Sequence, residues 1–444
     1  MNTNIPDWLE MSAKSFQEQT LERVKDFSLE KLADEALDLD RRQRDFLERE
    51  CISLYAGTNI MSPRVTRLLG STLGSRAAEG HPGAKYQTGI HWAEEAEVIA
   101  AELIRRVFDA KYAEVRCLSC SMANTAVMNS LTEPGDTIFS LTTPVGGHIS
   151  HSKIGVAGYR RLDIHDIPYD VQSWEIKLDE LRREVKQHPP KLINLGASLI
   201  LFEYPVREVR EIADEVGAYV MYDAAHVAGM IAGGCWQHPL NEGAHVMTAS
   251  TYKSFGGPPG GIVITNDPQI AKGADRAIFP GMTANFHTNR MAALMVGAAE
   301  MLSFGCDYAR TCAANAKVLA DAFWAEGLAV AGYERGSTDG HMLALDVSKE
   351  GMGRAAAQAL EQSNIITNFN LLPHDPLKIV RNPSGIRLGV QEITRWGAGT
   401  AEMDQIAKFF CQVLIEKSPP EQVRPEVKAL KKELDTLQFC FPEN

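Results

Sequence analysis

Long apolar runs are missing from this chain of 444 residues. No stretch approaches the ~20 apolar residues that a membrane-spanning helix needs, so the sequence predicts no membrane insertion. Residues 1–7 contain neither a basic segment nor an apolar core, which predicts no secretory signal and makes the cytoplasm the expected compartment. Positive charge is also scarce, since 45 Lys and Arg face 57 Asp and Glu. The net charge of −12 argues against nucleic acid or an anionic membrane as the main partner.

Cysteine is too sparse and too scattered for a disulfide framework. The 8 cysteines are spread along the chain and are expected to be reduced thiols. A single C-x-x-C, from Cys117 to Cys120, has no second pair after it, so no metal site is predicted. Internal repeats and low-complexity tracts are absent as well. What remains is an ordinary globular composition, 45% hydrophobic and 23% charged.

The hydrophobic pattern predicts an α/β protein in three parts. Residues 1–50 are rich in charge and leucine at helical spacing, which predicts an N-terminal helical arm. In residues 51–325 short apolar runs alternate with amphipathic stretches, as in a large domain with a mainly parallel sheet. Residues 326–444 mix strand and helix patterns, which favours a smaller C-terminal α+β domain ending in a charged helical segment.

Within the large domain the pattern assigns individual elements. The predicted strands are 136–141, 192–197, 218–222, 244–249 and 261–265. The predicted helices are 94–108, 124–131, 178–187 and 206–216, followed by a long helical stretch near 289–304 and 310–326.

The strongest chemical signal is a lysine that follows an aspartate by 30 positions. Asp223 ends one apolar run, and Lys253 follows the next run and precedes a turn rich in glycine and proline. In open α/β sheets ligands bind at the carboxyl ends of the strands. A lysine amine can form a Schiff base with the aldehyde of pyridoxal phosphate (PLP). An aspartate can keep the ring nitrogen protonated and so make the ring an electron sink. The pair therefore predicts a PLP site.

Other residues have the chemistry to complete such a site. Ser119 and Ser121 precede a helix, where hydroxyls and backbone N–H groups bind a phosphate, although a simple helix cap is the alternative. His148 follows two glycines and offers a flat ring for stacking. His226 suits the ring oxygen of the cofactor or a substrate carboxylate, the alternative being a histidine of the core. Hydroxyl residues such as Ser250 flank the lysine and suit a phosphate.

Two further positions suit a substrate. Arg387 lies in a short apolar strand, where an unpaired guanidinium is costly. Its predicted partner is the α-carboxylate of an amino acid, and a protein carboxylate is the alternative. Glu79 stands in a glycine- and proline-rich turn near the phenol of Tyr86, where a general acid or base is plausible.

Taken together, these segments resemble serine hydroxymethyltransferase, a fold-type I PLP enzyme, between about residues 40 and 414. The similar motifs occur in a specific order: Ser62-Pro63-Arg64-Val65, Ala78-Glu79-Gly80-His81-Pro82-Gly83, Glu133-Pro134-Gly135-Asp136, Gly146-Gly147-His148, Asp223-Ala224-Ala225-His226-Val227-Ala228-Gly229, Thr251-Tyr252-Lys253, Phe279-Pro280-Gly281, and Gly385-Ile386-Arg387-Leu388-Gly389 with Ile393-Thr394-Arg395.

The resemblance implies a seven-stranded, mainly parallel sheet with helices on both faces and a small C-terminal domain. It also implies a homodimer or tetramer with shared active sites, acting on a small amino acid. The family cleaves the Cα–Cβ bond of β-hydroxy amino acids and passes the one-carbon unit to tetrahydrofolate. The resemblance implies that Lys253 forms the Schiff base, Asp223 pairs with the ring nitrogen and His148 stacks on the ring. It implies that Arg387 binds the substrate carboxylate, Glu79 is the acid/base catalyst, and Tyr86 and Asn370 contact substrate or folate. The implied phosphate or other cofactor contacts are Ser119, Cys120, Ser121, Ser198, His226, Ser250 and Tyr252.

Several positions around the substrate depart from the family pattern. The departures are Gly57-Thr58-Asn59 for Ser-Glu-Asn, Ala77 and Gln87 for tyrosines, Tyr252 for a histidine, Pro259 for an arginine, Ala284-Asn285 for Gly-Gly, Phe369 before Asn370, and no recognisable Ser-Pro-Phe folate motif between Asp375 and Pro383. Losing polar groups around a carboxylate and a phosphate changes specificity.

We therefore expect serine hydroxymethyltransferase-like chemistry on an α-substituted or otherwise non-standard serine, with tetrahydrofolate as a possible acceptor. One alternative is a threonine aldolase or transaldolase that passes a glycyl unit to an aldehyde without folate. Another is different PLP chemistry, as in an aminotransferase, racemase or decarboxylase, because the electron sink serves all of them. A PLP-binding protein without catalysis is the third.

Overall fold

The computed structural model describes residues 5–443. The first four residues of the predicted arm and the last residue of the predicted small domain therefore lie outside the described part. Contacts divide the chain into two units, with the boundary after Cys51. The first unit holds the helices Met11–Val24 and Leu29–Arg44 and a π-helical turn, Asp45–Glu50. Ser28 caps the second helix by accepting from the backbone N–H of Lys31 at 3.1 Å.

The second unit is built on a seven-stranded sheet, as predicted. Only Gly261–Thr265 runs against the other strands. Across the sheet the strands are, in spatial order, Tyr112–Glu114, Gly261–Thr265, Val246–Ser250, Tyr219–Asp223, Leu192–Leu195, Thr137–Ser140 and Asp163–Asp166.

Successive residues of the central strands lie in two separate hydrophobic clusters. Val220 and Tyr222 belong to one cluster, and Met221 between them belongs to the other. Side chains alternate between the two faces of a strand, so both faces of this sheet are buried under helices. The helices that accompany the sheet are Pro63–Leu69, His91–Val107, Cys120–Leu131, Val156–Tyr159, Leu178–Gln187, Val206–Asp214, Ala228–Ala232, Pro268–Arg276 and Asn289–Ala325.

The long helical stretch predicted near 289–304 and 310–326 is one continuous helix, Asn289–Ala325, of 37 residues. Gly305 does not interrupt it. A Cβ on Gly233 would come within 2.3 Å of the carbonyl oxygen of Gly305, so the two backbones pack closely at this point. Tyr308 and Ala309, which follow, are fully buried. Burial against the core outweighs the low helix propensity of the glycine.

The C-terminal part of the second unit carries a four-stranded antiparallel sheet. Its strands are, in spatial order, Ala329–Val330, Met342–Asp346, Gly385–Gly389 and Asn368–Asn370, and its helices are Met352–Gln362, Gln391–Arg395, Thr400–Leu414 and Pro420–Glu433. The strand Ile52–Ser53 pairs in parallel with Ile365–Ile366. The helical segment predicted at the C-terminus ends at Glu433, and residues 434–443 are not helical.

Short hairpins and thiols complete the description. Gly80–His81 pairs with Ala84–Lys85, and Tyr169–Asp170 pairs with Glu175–Ile176. All eight cysteines are free. Within residues 5–443 no helix is both long and apolar enough to cross a bilayer.

Candidate active site

The carboxyl ends of neighbouring parallel strands bring the predicted cofactor residues together. Asp223 ends its strand beside Thr248, and Ser250 ends the next strand three residues before Lys253. A cavity with about 380 Å³ of empty space lies against these strand ends. All ten residues predicted to bind the cofactor line it: Ser119, Cys120, Ser121, His148, Ser198, Asp223, His226, Ser250, Tyr252 and Lys253.

Lys253 is buried and poised as a nucleophile. Its Nζ lies 3.0 Å from His226 Nε2. His226 Nδ1 donates to the carbonyl oxygen of Ala56 at 3.2 Å, so Nε2 is unprotonated and accepts from the lysine. Burial lowers the pKa of Lys253 to about 8, and burial together with the nearby cations Lys253 and Arg387 holds the pKa of His226 well below its usual range. A lysine amine with a lowered pKa is available to attack an aldehyde.

Asp223 is buried and held as a carboxylate by its neighbours. Oδ2 accepts from Asn124 Nδ2 at 2.8 Å and lies 3.3 Å from His151 Nε2. Oδ1 accepts from the backbone N–H of Ala225 at 2.9 Å and lies 3.5 Å from the thiol of Cys120. Burial alone would raise the pKa of Asp223, but His151, His148 and the Asn124 amide hold it well below its usual range. A charged carboxylate in this cavity suits a protonated ring nitrogen.

His148 is joined to the same network through Ser150. Asn124 Nδ2 donates to Ser150 Oγ at 3.1 Å, and Ser150 Oγ lies 2.8 Å from His148 Nδ1. The backbone N–H of Ser150 also donates to His148 Nδ1, at 3.2 Å. Nδ1 is therefore an acceptor, and the ring proton is on Nε2. Burial lowers the pKa of His148 to about 4, so the ring is neutral and able to stack.

The cavity wall also carries groups that suit an anion. Ser119 caps the helix Cys120–Leu131, accepting from the backbone N–H of Met122 at 3.2 Å, so a helix N-terminus lies at the cavity wall. Ser250 Oγ is buried and has no hydrogen-bond partner among residues 5–443. An orphan buried hydroxyl is costly, and a phosphate oxygen would satisfy it. The nucleophile, the carboxylate, the flat ring and this hydroxyl together fit PLP.

Arg387 lies between this cavity and a second one. It is buried, and its Nη1 donates to the carbonyl oxygen of Ser198 at 2.5 Å and lies 3.5 Å from His226 Nε2, while Nε donates to Asn368 Oδ1 at 3.2 Å. Across the described chain, no carboxylate is within ion-pair distance of it. The alternative, a carboxylate partner from the protein, is therefore not seen among residues 5–443 of one chain.

The second cavity contains about 730 Å³ of empty space, is lined by Arg387, and shares His148 and Ser198 with the first. Asn370 lines this second cavity, as does its neighbour Phe369. The amide of Asn370 is turned to the backbone, since Nδ2 donates to the carbonyl oxygen of Leu371 at 2.7 Å. A substrate bound to Arg387 could therefore extend from the cofactor cavity into this space.

Glu79 and Tyr86 lie away from both cavities. Glu79 is half-buried and paired with Gln87, whose Nε2 donates to Glu79 Oε2 at 2.9 Å and whose Oε1 accepts from the Glu79 N–H at 2.8 Å. Asn285 Oδ1 accepts from the N–H of Ala78 at 2.9 Å, so two departures from the family pattern hold this segment. Tyr86 is 76% exposed. Neither residue lines the cavity that contains Lys253 in the same chain.

Sequence reasoning missed Asn124 and His151. Both lie within hydrogen-bond or ion-pair distance of Asp223. In the chain, Asn124 precedes Asp223 by 99 residues and His151 precedes it by 72 residues. A signal was present for each: Asn124 is one helical turn after the Ser119–Ser121 cap, and His151 is a second histidine three positions after His148. Neither pattern predicts a contact with Asp223 without the fold.

Comparisons with known proteins agree with this geometry. The family model described as Serine hydroxymethyltransferase matches residues 30–410. A serine hydroxymethyltransferase of Archaeoglobus fulgidus is 45% identical over 398 residues, covering 90% of this chain and 91% of that protein. An alpha-methylserine aldolase of Ralstonia sp is 41% identical over 410 residues, covering 90% and 93%. An L-threonine transaldolase structure from Pseudomonas fluorescens shares the fold, with a TM-score of 0.83, 24% identity and 96% of each chain covered.

Proposed function

This chain belongs to the serine hydroxymethyltransferase family of fold-type I PLP enzymes, and we propose that its preferred substrate is an α-substituted or other non-standard serine. The reaction that it catalyses is cleavage or formation of the Cα–Cβ bond of β-hydroxy amino acids. The observation that carries the chemistry is the convergence of Lys253, Asp223 and His148 on one cavity that Arg387 adjoins. The proposed setting is the cytoplasm, and the proposed assembly is a homodimer.

When bound, PLP supplies an electron sink for the pair of electrons released by the broken Cα bond. The protein supplies the rest. The amine of Lys253 would hold the cofactor. Asp223 would keep the ring nitrogen protonated, since its charged form is strongly favoured in the network described above. The neutral, buried ring of His148 would supply a flat surface for the cofactor.

Arg387 orients the substrate by its α-carboxylate. Its charge has no protein carboxylate partner within residues 5–443, and a guanidinium matches a carboxylate with two parallel hydrogen bonds. Fixing the carboxylate would also fix the orientation of the bonds at Cα, and so favour the breaking of one of them.

Glu79 holds or moves the proton of the β-hydroxyl in this proposal. Because Glu79 and the exposed Tyr86 do not line the Lys253 cavity of their own chain, we place them in the active site of a second copy. This placement accounts for an exposed tyrosine beside a half-buried glutamate. A chain that stays monomeric at working concentration would contradict it.

The preference for a non-standard serine is supported by the altered substrate side. The cofactor cavity retains all ten predicted residues, whereas polar positions of the family pattern are replaced at Gly57, Ala77 and Gln87. A relative of nearly the same similarity as the hydroxymethyltransferases is named an alpha-methylserine aldolase. Tetrahydrofolate remains a candidate acceptor, since Asn370 lines the second cavity.

The test is a product assay with L-serine, L-threonine and α-methylserine, each with and without tetrahydrofolate. We expect the highest kcat/KM with α-methylserine, measured as released formaldehyde or methylene-folate. Faster turnover of threonine to glycine and acetaldehyde without folate would favour the aldolase or transaldolase alternative. Keto-acid or racemised product would indicate other PLP chemistry. A protein that binds PLP but turns over none of the three amino acids would contradict the proposal.

A further inference from the structure

The turn from Tyr55 to Thr58 is fixed to the active site by its backbone. Gln391 Nε2 donates to the carbonyl oxygens of Tyr55, at 2.8 Å, and Thr58, at 2.7 Å. The carbonyl oxygen of Ala56 accepts from His226 Nδ1 at 3.2 Å. His226 in turn contacts Lys253. The turn is therefore held against the residues that surround the cofactor cavity.

The side chain of Tyr55 occupies the space that a side chain at position 57 would need. A Cβ built on Gly57 would lie 2.6 Å from both Cζ and the hydroxyl oxygen of Tyr55. Gly57 is not among the residues with positive φ, so its backbone does not require glycine. The tyrosine ring, and not the backbone, is what excludes a side chain here.

The same ring faces Arg387. The guanidinium carbon of Arg387 lies 5.8 Å from the centre of the Tyr55 ring, which is within the range of a cation–π contact. Arg387 is buried without a carboxylate partner among residues 5–443. It donates to the Ser198 carbonyl and to the Asn368 amide oxygen, and the side chain of Tyr55 also hydrogen-bonds to it. The ring therefore covers a charge that the protein leaves available for a substrate.

We propose that Tyr55 is a specificity residue of this site: its side chain holds Arg387 in place, and it fills the space that a side chain at position 57 would need. The inference rests on the proposed function, because the ligand it concerns is the α-carboxylate of an amino acid. The exchange of a side chain at 57 for a ring from 55 changes the shape of the surface next to Arg387, and so the shape of the amino acid that can bind there.

The test uses the full chain loaded with PLP and the variants Y55F, Y55A, G57S and Y55A/G57S. We expect Y55A to raise KM for α-methylserine about 10-fold with a smaller change in kcat, the size of a buried cation–π contact. Y55F keeps the ring and should raise KM by about fivefold or less, as for one hydrogen bond. Y112F, a tyrosine on the edge strand Tyr112–Glu114, is the matched control and should leave both constants unchanged.

The pair of positions gives a readout that does not depend on turnover. G57S should displace the Tyr55 ring and destabilise the chain to urea, and Y55A should remove that penalty, so the two changes are non-additive. Additive effects on unfolding would overturn the contact. Unchanged KM and unchanged glycine affinity by calorimetry in Y55A would overturn the specificity role. If wild type turned over no amino acid, the proposed function would fail, while glycine binding and the urea cycle would still decide the role of Tyr55.

Discussion

Replacing Asn124 by alanine should loosen both the carboxylate and the histidine that contact the cofactor. The amide of Asn124 donates to Asp223 Oδ2 at 2.8 Å and to Ser150 Oγ at 3.1 Å. Its oxygen accepts from Thr248 Oγ1 at 2.7 Å, which fixes the orientation of the amide. Asn124 is 1% exposed, so water cannot replace these partners without entering the core. The substitution removes all three bonds together.

The expected loss of stability follows from those bonds. A hydrogen bond to a charged group contributes about 1.5–3 kcal/mol, and a buried hydroxyl left without a partner costs about 1–3 kcal/mol. Asp223 loses the first kind, and Thr248 becomes the second. We therefore expect N124A to lower the free energy of unfolding by about 3–5 kcal/mol, a large effect for one residue. PLP affinity should fall as well, because Asp223 loses a donor that favours its charged form.

Urea unfolding and PLP titration of the full chain measure both effects. T248V is the matched variant, since it removes the anchor of the amide but leaves both donors of Asn124, and it should cost about 1–2 kcal/mol. A free energy of unfolding for N124A within 1 kcal/mol of wild type would refute the reasoning. So would an N124A protein whose PLP affinity equals that of wild type, because Asp223 would then be held by other groups.

Three other outcomes follow from the site. K253A should lose the covalent attachment of PLP, and a borohydride-reducible visible band in that variant would disprove the role of Lys253. R387A should raise KM for amino acids more than it lowers kcat, and an unchanged KM would contradict carboxylate binding. Burial lowers the pKa of His341 to about 3 and that of His148 to about 4. Between these values and the ordinary histidine pKa of ~6.5, the unfolded chain therefore binds more protons than the folded chain. The free energy of unfolding should therefore rise with pH across this window, and H341F should flatten the slope by up to about 1.4 kcal/mol per pH unit. If the urea midpoint of H341F depended on pH as that of wild type does, the role of His341 would be contradicted.

Much of the fold could be predicted because its signals are local. The strand Gly261–Thr265 and the helix Leu178–Gln187 have the predicted bounds, since a period of 2 or 3.6 in apolar residues requires no knowledge of distant partners. A long helical stretch was predicted where Asn289–Ala325 lies, but its continuity through residues 305–309 could not be predicted in this way. Its middle depends on Gly305 packing against Gly233, a contact between segments that are far apart in the chain.

The order of residues by itself determined the chemistry that is available. A lysine and an aspartate that follow adjacent parallel strands lie at the same edge of the sheet. Lys253 and Asp223 accordingly line one cavity. Only the tertiary structure decided which groups tune them. The contact of Asn124 with Asp223, the ring of Tyr55 over Arg387 and the distance of Glu79 from the cavity of its own chain each depend on how separate segments pack. Periodicity and polarity describe one segment at a time, whereas hydrogen bonds and ring contacts across the core depend on side-chain positions that only packing defines.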